Sequence, residues 1–430
     1  MALDSQLRRL APLAAIVATA LSATAASLVA QSVAQAAPKP ATPVASARSD
    51  SVAKKPDATI AKADTAAKKA DSTAKKADAT PAPEHIETGL LGIKLSGYVE
   101  TAFNSSNNAN GRAITGRLYE RTNNQFSLNA LKVSLDRPYD VTKLDAGFHA
   151  DILFGQNAPV LQSTGFSLGP NGDVYQLYGT LSLPTSDGNG VQFEFGRMAT
   201  FLGLELIETP LNPNLSIANQ FIYAENFTQT GLSVEHRFNK YVDAQLRVLN
   251  GWDQVTDVNG SLSYMARLGI APTLTSSIAF AGYTGAEEAD NNSAKRTGFE
   301  VLASQKVGKV TAYLQGDIGR EDRNSALIDS TRAAKWTSAG AWLVIDATPT
   351  VGVALRADYL NDANAFRTGA AFGLTTGAKH NLSSATATLN IKGFPNVLIR
   401  PEVRFDKSNL GVFNSKKSQF TVGLGATYIW

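Results

Sequence analysis

Residues 419–430 read QFTVGLGATYIW, and their hydrophobicity alternates with a period of two. One set of alternate positions is apolar or aromatic and comprises Phe420, Val422, Leu424, Ala426, Tyr428 and Trp430. The intervening positions are small or polar and comprise Thr421, Gly423, Gly425 and Thr427. A strand of this kind suits a barrel wall, because one face meets lipid while the other meets a water-filled lumen.

The same alternation recurs from residue 89 to residue 430. In 241–250, Leu246 and Val248 oppose Gln245 and Arg247, and in 397–406 the apolar and charged residues separate in the same way. Short connections lie near 137–140, 184–190, 239–240, 271–272, 308, 348–349 and 393–396, and they alternate with long ones at 104–124, 155–172, 198–227, 251–259, 285–295, 321–334, 361–379 and 407–417. The pattern predicts an all-β fold, a transmembrane antiparallel up-and-down β-barrel of about 16 strands. An even strand number puts both termini on the side of the short turns.

Two strands fit this pattern less well. Segment 125–137 changes phase near Ala130, which predicts a β-bulge or a misplaced boundary. Segment 337–347 is apolar on both parities, as in a buried strand of a soluble sheet. A soluble β-sandwich or propeller is therefore the alternative fold, but it does not explain the alternating connection lengths.

The N-terminal 88 residues have a different composition. Arg8 and Arg9 precede an uncharged stretch rich in Ala and Leu, and small residues surround Ala36. We expect residues 1–36 to be a cleaved signal peptide, with a membrane-spanning helix as the alternative. Residues 37–88 are rich in Ala, Lys and Pro, and AAKKADS (66–72) is nearly repeated as TAKKADA (73–79). This composition predicts a disordered periplasmic linker, either a simple tether or a segment that binds peptidoglycan.

A barrel of about 16 strands encloses a lumen wide enough for water and solutes, so a channel is the expected function. The strand pattern points charged side chains of both signs into this lumen, among them Arg247, Glu300, Asp317, Arg356, Arg400, Glu402 and Arg404. Mixed signs predict a weakly selective pore. The chain has no cysteine, which excludes a disulfide framework and a lipid-modified N-terminus.

The long connection 198–227 is unusually apolar for an outside loop. We expect it to fold into the barrel, because its apolar side chains avoid water there. Folded inward, it narrows the pore and aims Glu205 and Glu208 at the opposite wall, where arginines such as Arg356 and Arg404 supply positive charge. The alternative is a loop that only braces the wall.

This segment also carries a family resemblance. The run GRMATFLGLELIE (196–208), followed by Pro210, Asn212, Asn214 and Ser216 and by FTQTG (227–231), resembles the bacterial outer-membrane β-barrel porins of the porin-2 type. GYVE (97–100) and FSLN (126–129) are similar to that family's opening strands. The resemblance implies an outer-membrane pore for passive diffusion of small hydrophilic solutes. Porins of this size are often homotrimers.

The aromatic C-terminus resembles the signal that such barrels present to the barrel assembly machinery, here Phe420, Tyr428 and Trp430. Family members commonly end in Phe, so Trp430 is a departure from the pattern. Outer-membrane lipid and the assembly machinery are the expected partners, and no nucleic acid is expected.

We expect no enzyme, catalytic residue, cofactor or metal site. The four histidines, His85, His149, His236 and His380, are scattered, and no nucleophile can be paired with them from sequence. No Walker-type loop, dinucleotide fingerprint or zinc-ligand spacing occurs. The alternative function is a plugged structural barrel that anchors the outer membrane to the cell wall through the Lys-rich linker.

Overall fold

The computed structural model describes residues 86–88, 92–323, 326–327 and 332–430. The predicted signal peptide and all but the last three residues of the predicted linker lie outside the described residues. The strands are β1 (Ile86–Glu87), β2 (Lys94–Ser106), β3 (Gln125–Arg137), β4 (Asp145–Phe154), β5 (Gly172–Leu183), β6 (Val191–Ala199), β7 (Thr228–Arg237), β8 (Val242–Leu249), β9 (Ser263–Thr273), β10 (Ser276–Glu288), β11 (Asn291–Val307), β12 (Val310–Glu321), β13 (Ala334–Thr348), β14 (Val351–Asp362), β15 (His380–Phe394), β16 (Val397–Ser408) and β17 (Ser418–Ile429).

Among the described residues, helical structure is sparse and confined to the connections. It comprises α1 (Ala158–Leu161), α2 (Asn219–Ala224), α3 (Gly369–Phe372) and a 3-10 turn at Thr209–Leu211. Within the described part of the chain, no helix has the length and hydropathy needed to cross a membrane.

Strands β2 to β17 form one closed antiparallel barrel of 16 strands. Each strand pairs with its neighbour in the chain, and β17 pairs with β2, with Leu424 opposite Phe103. Closure leaves no unpaired sheet edge in the wall, which satisfies the backbone groups of every strand. The predicted fold class and strand number are confirmed, and the soluble sandwich or propeller is wrong.

The strand that decided the fold class has the expected two faces. Phe420 and Tyr428 are exposed on the outside of the barrel, whereas Thr421 and Thr427 are buried inside it. The other strands repeat this arrangement, so a belt of apolar side chains surrounds the barrel where lipid would contact it.

The phase change in β3 is a β-bulge. Of the two explanations predicted for it, the bulge is confirmed and the misplaced boundary is wrong. Glu100 pairs with Ala130 and the next residue, Thr101, pairs with Leu128, so Asn129 is the extra residue. The buried Asn129 side chain accepts a hydrogen bond from Ser127 Oγ at 2.7 Å. The bulge moves the apolar residues of β3 from one parity to the other.

Strand β13, apolar on both parities, belongs to the barrel wall. Its inward residues Trp342 and Val344 are buried against Leu204 and Ala218 of the connection between β6 and β7. Its other face points outward. Both faces are therefore apolar because one meets lipid and the other meets a loop that fills the lumen.

Three predicted boundaries are wrong. The long connection predicted at 285–295 is a two-residue hairpin at 289–290 between extended strands β10 and β11, with Asp290 at a φ of 57°. Polar residues at these strand ends mimic a loop because the strands continue past the apolar belt. The short turn predicted at 271–272 lies at 274–275. The connection predicted at 137–140 implies a strand from residue 141, but β4 begins at Asp145.

Candidate functional site

Residues 200–227, here called the inner loop, join β6 to β7 and pass through the lumen. Most of their side chains are buried, including Phe201, Leu204, Ile207, Leu215 and Ile217. Every residue of α2 is buried as well. Removing this much apolar surface from water is the driving force that turns the loop inward rather than outward.

The inner loop packs against several sides of the wall. Leu204 and Ala218 form an apolar cluster with Tyr313 of β12 and Trp342 of β13. Ile217, Phe221 and Ile222 belong to a second cluster, which includes Tyr98, Tyr175, Leu360 and Leu382 on other strands. The loop therefore crosses the lumen and is held from opposite sides.

Small inward residues on β17 make room for the inner loop. A Cβ at Gly425 would lie 2.5 Å from Leu215 Cδ1, and one at Gly423 would lie 3.4 Å from Leu215 Cδ2. Gly423 and Gly425, which contribute to the alternating pattern of the terminal strand, thus also leave space for the Leu215 side chain. Their small size is a packing requirement as well as a strand pattern.

Glu205 lies at the centre of these contacts. Its Oε1 is 2.6 Å from Arg356 Nη1 and accepts a hydrogen bond from Trp342 Nε1 at 3.1 Å. Its Oε2 accepts the backbone N–H of Ala218 at 2.7 Å. Glu205 therefore faces the arginine that the sequence predicted as one of its partners, but in direct contact and not across an open gap.

Glu208 points to a different part of the wall. Its Oε1 lies 3.0 Å from Lys132 Nζ on β3 and accepts a hydrogen bond from the Tyr175 hydroxyl at 2.9 Å. Lys132 also pairs with Asp151 at 3.0 Å. The sequence did not select Lys132 as a site residue, because the bulge in β3 obscured which of its residues face inward.

Three alternate residues of β16 hold the backbone of the inner loop. Arg400 donates to the carbonyl of Thr209 at 2.8 Å and pairs with Glu100 at 2.6 Å. Glu402 accepts the N–H of Leu215 at 2.8 Å. Arg404 donates to the carbonyl of Ile217. These contacts follow the loop along one strand face.

Arg247 is placed differently from the other predicted lumen arginines. It donates to the carbonyl of Ala199 at 2.7 Å and to Gln229 Oε1 at 2.6 Å, and its guanidinium lies 4.8 Å from the Phe201 ring centroid. Arg247 therefore stabilises the start of the inner loop. It does not pair with Glu205 or Glu208, which contact Arg356 and Lys132.

A group of three carboxylates faces the lumen near the end of the inner loop. Glu225 of the loop, Glu300 of β11 and Asp317 of β12 are buried, and one oxygen from each lies within 4.8 Å of the others. Sequence reasoning placed Glu300 and Asp317 in the lumen but missed Glu225. No spacing in the sequence joins the three, because they belong to separate elements.

A second loop reaches the same lumen from residues 107–124. Arg117 Nη2 lies 2.8 Å from Asp406 Oδ2 of β16, and both side chains are buried. Burial lowers the pKa of Arg117 to about 10. Burial also raises the pKa of Glu120, in the same loop, to about 7.

The hydrogen-bond partners of His149 and His380 determine whether either histidine could serve as a catalytic base. His149 has Asp136 and Asp151 at 3.2 and 3.0 Å from its two ring nitrogens, so neither nitrogen is left to activate a hydroxyl. His380 Nε2 lies 3.0 Å from Ser408 Oγ, but both residues are buried. A substrate carbonyl therefore has no access to Ser408.

Of the predicted assembly-signal residues, Phe420 and Tyr428 lie near opposite ends of β17, which closes the barrel, and Trp430 directly follows this strand. The rings of Tyr428 and Trp430 stack with centroids 6.2 Å apart. The backbone N–H of Trp430 donates to the Gly97 carbonyl at 3.0 Å, and the backbone N–H of Gly97 donates to the Trp430 carbonyl at 2.9 Å. Phe420 faces outward at the other end of β17.

Comparison with known proteins identifies relatives of this arrangement. The model of a family described as "Putative beta-barrel porin-2, OmpL-like" matches residues 92–429. No curated protein matches the chain. Similar solved structures include an anion-selective porin from Comamonas acidovorans, with 12% identity over 79% of this chain and 99% of that chain and a TM-score of 0.54.

Two other porins of known structure are similar to this chain to about the same degree. OprB of Pseudomonas putida is 12% identical over 79% of this chain and 94% of its own, with a TM-score of 0.54. OmpT of Vibrio cholerae, in a trimer form, is 11% identical over 79% of this chain and 99% of its own, with a TM-score of 0.52. At these identities the likeness shows the fold.

Proposed function

This chain belongs to the β-barrel porin-2 family and is an outer-membrane porin for passive diffusion, and on that premise we propose that its inner loop sets the width of the channel. The observation that carries the proposal is the path of residues 200–227 through the lumen, held by Arg356 and Arg400 on one side and Lys132 on another. Small hydrophilic solutes pass through the space that the loop leaves.

Direct ion pairing predicts weak selectivity between anions and cations. Glu205 and Arg356 neutralise each other at 2.6 Å, as do Glu100 and Arg400. Paired charges at this distance act on a passing ion as a dipole, whose field decays faster than that of a single charge. The inner loop therefore restricts solutes mainly by size.

Single-channel recording tests this proposal. The refolded chain beginning at Ala37 is placed in a planar bilayer with a salt gradient. Steady openings with a reversal potential near zero support a weakly selective channel. A large reversal potential refutes the weak selectivity, and silence from a correctly folded barrel refutes the open channel.

A structural anchoring role is the second candidate function, and the contacts of the same inner loop favour it. Glu205 and Glu208 are both paired with the wall and buried, so the loop has the contacts of a plug. In this proposal the Lys-rich linker 37–88 binds peptidoglycan. Co-sedimentation of the full chain with purified peptidoglycan, compared with a chain lacking 37–85, separates this function from that of a simple pore.

We further propose that export uses a cleaved signal peptide at residues 1–36 and that the barrel assembly machinery reads Phe420, Tyr428 and Trp430. The sequence patterns described above support both proposals. A homotrimer is proposed by analogy with OmpT, for which a trimer form is known. N-terminal sequencing of the mature protein and crosslinking in outer-membrane vesicles test these assignments.

We propose that the protein has no enzymatic activity. The engagement of both His149 nitrogens by carboxylates and the burial of His380 beside Ser408 support this proposal. Lipase and protease assays on the refolded barrel test it.

A further inference from the structure

The three carboxylates of Glu225, Glu300 and Asp317, here called the acid cluster, join the end of the inner loop to the wall. Glu300 and Asp317 are directly opposite each other on neighbouring strands β11 and β12. Glu225 follows α2 in the inner loop. Each of the three is at least 94% buried, with exposures of 1%, 4% and 6%.

The acid cluster is surrounded by neutral hydrogen-bond donors. The Gly203 N–H donates to both oxygens of Glu300 at 2.9 Å. Gln315 Nε2 donates to Glu225 Oε1 at 2.6 Å, and Ser338 Oγ donates to Asp317 Oδ2 at 2.6 Å. Amides and hydroxyls stabilise carboxylates, but they do not balance three negative charges.

Several other buried carboxylates in this barrel have cationic partners, whereas Asp362 and Glu402 are held by backbone N–H groups. Glu205 pairs with Arg356, Glu100 with Arg400 and Asp151 with Lys132. Among the ion pairs formed by the described residues, none includes a member of the acid cluster. Like charges this close cannot all remain ionised without a cation, so the cluster either keeps protons or binds an ion.

Two buried side-chain oxygens, one in the cluster and one on a residue that contacts it, have no hydrogen-bond partner. Glu225 Oε2 is buried without a hydrogen-bond partner. Gln220, outside the cluster and fully buried, points its side-chain amide at Asp317 through an Nε2–Oδ2 hydrogen bond, while its Oε1 has no partner. Since amide oxygen and nitrogen positions interchange by a flip, Gln220 can present an oxygen ligand to the same space.

The space beside the cluster has a suitable size. A cavity of about 20 Å³ is lined by Glu300 and Asp317 but not by Glu225, and its other lining residues are mostly apolar, among them Leu202, Trp252, Phe299 and Trp336. A cavity of this volume holds one water molecule. One water there would lie beside two of the three carboxylate residues.

We propose that the acid cluster is a divalent-cation site, best suited to Ca²⁺, which fastens the end of the inner loop to strands β11 and β12. All available ligands are oxygens, which hard cations prefer. The three oxygens lie within 4.8 Å of one another, so one ion with Ca²⁺–O bonds of about 2.3–2.6 Å can reach all of them. Two positive charges offset most of the cluster's three negative charges.

The proposed ion has a structural role and does not depend on conduction. It would link Glu225, which the inner loop carries, to residues fixed in the wall. Removing it should loosen the loop at its C-terminal end while the contacts of Glu205 and Arg400 persist. Ion binding can be measured whether or not the channel conducts, so its failure is distinct from failure of the proposed function.

The test is calorimetric titration of Ca²⁺ into the refolded mature chain, in detergent free of lipopolysaccharide and after removal of divalent ions with EDTA. The variants are Glu225→Gln and Asp317→Asn. The control is Asp187→Asn, which removes an exposed carboxylate in the short turn between β5 and β6. The thermal unfolding midpoint of each chain is measured with and without Ca²⁺.

The proposal predicts one Ca²⁺ per chain for the wild type and the control, and at least tenfold weaker binding for both cluster variants. Ca²⁺ should raise the unfolding midpoint of the wild type and leave that of Glu225→Gln unchanged. No Ca²⁺ binding by the wild type, or equal binding by Glu225→Gln, would overturn the proposal. In the first case the cluster holds shared protons.

Discussion

Glu205 of the inner loop and Arg356 of β14 are in direct contact, with Oε1 and Nη1 2.6 Å apart and both side chains buried. This pair joins a segment between β6 and β7 to a strand far along the chain. Its charges are removed from water on both sides, so breaking it leaves an uncompensated buried charge. The inner loop is thereby a fixed part of the lumen wall.

Replacing Arg356 with Met should destabilise the barrel by about 3–5 kcal/mol, because Glu205 remains buried without its partner. The measurement is the urea unfolding midpoint of the refolded chain. The double variant Glu205→Gln/Arg356→Met should recover part of the loss. An unchanged midpoint in the single variant would mean that the contact contributes nothing to stability.

Gly425→Val should displace the inner loop, because a Cβ at Gly425 meets Leu215 at 2.5 Å. Overpacking of this kind costs about 1–3 kcal/mol, and here the loop can move away. Single-channel recordings should show a changed unit conductance. The matched control is Gly393→Val in β15, where a Cβ has nothing within 4 Å. Equal conductance in both variants would argue against docking of Leu215 on β17.

Glu120 should make stability depend on pH. Burial raises its pKa to about 7, whereas an unfolded chain has a value of about 4.3. The folded state therefore binds the proton more tightly, and stability falls as pH rises between these values, by on the order of 3 kcal/mol.

Urea unfolding at pH 5 and pH 8 measures this effect. The Glu120→Gln variant should lose this part of the pH dependence. Asp187→Asn is the control, because hydrogen bonds from Thr185 and Asn189 lower the Asp187 pKa to about 2, and it stays ionised across this range. An equal pH dependence in wild type and Glu120→Gln would contradict the assignment.

Trp430→Ala should lower the amount of folded barrel in the outer membrane several-fold, whereas Trp430→Phe should restore it. The ring stacks on Tyr428 and lies against Gly97, and an aromatic side chain at this level suits the membrane interface. The heat-modifiable fraction in outer-membrane preparations gives the readout. Normal assembly of the Ala variant would exclude Trp430 from the assembly signal.

The wall of the barrel was predictable because its pattern is local. Each strand separates a lipid face from a lumen face within about ten residues, so Phe420 and Thr421 report their environments directly. The hairpin at 289–290 was missed because strands that rise above the apolar belt lose that contrast. Polar residues there predict a loop although the backbone continues as a strand.

The site was only partly predictable. The apolar composition of the inner loop indicated that it turns inward, and Glu205 was expected to face an arginine. Which arginine it contacts depends on the register of strands 151 residues away, information that no local pattern contains. Glu225 was missed for the same reason, since its role arises only when distant segments meet, whereas the bulge in β3 obscured the inward direction of Lys132.

The most direct test of the inner loop's role is the unit conductance of the refolded wild type compared with that of a variant lacking residues 205–214. Both chains must first show the same heat-modifiable barrel. If the inner loop narrows the channel, the deletion should raise the unit conductance several-fold. Equal conductance in the two folded chains would contradict the account.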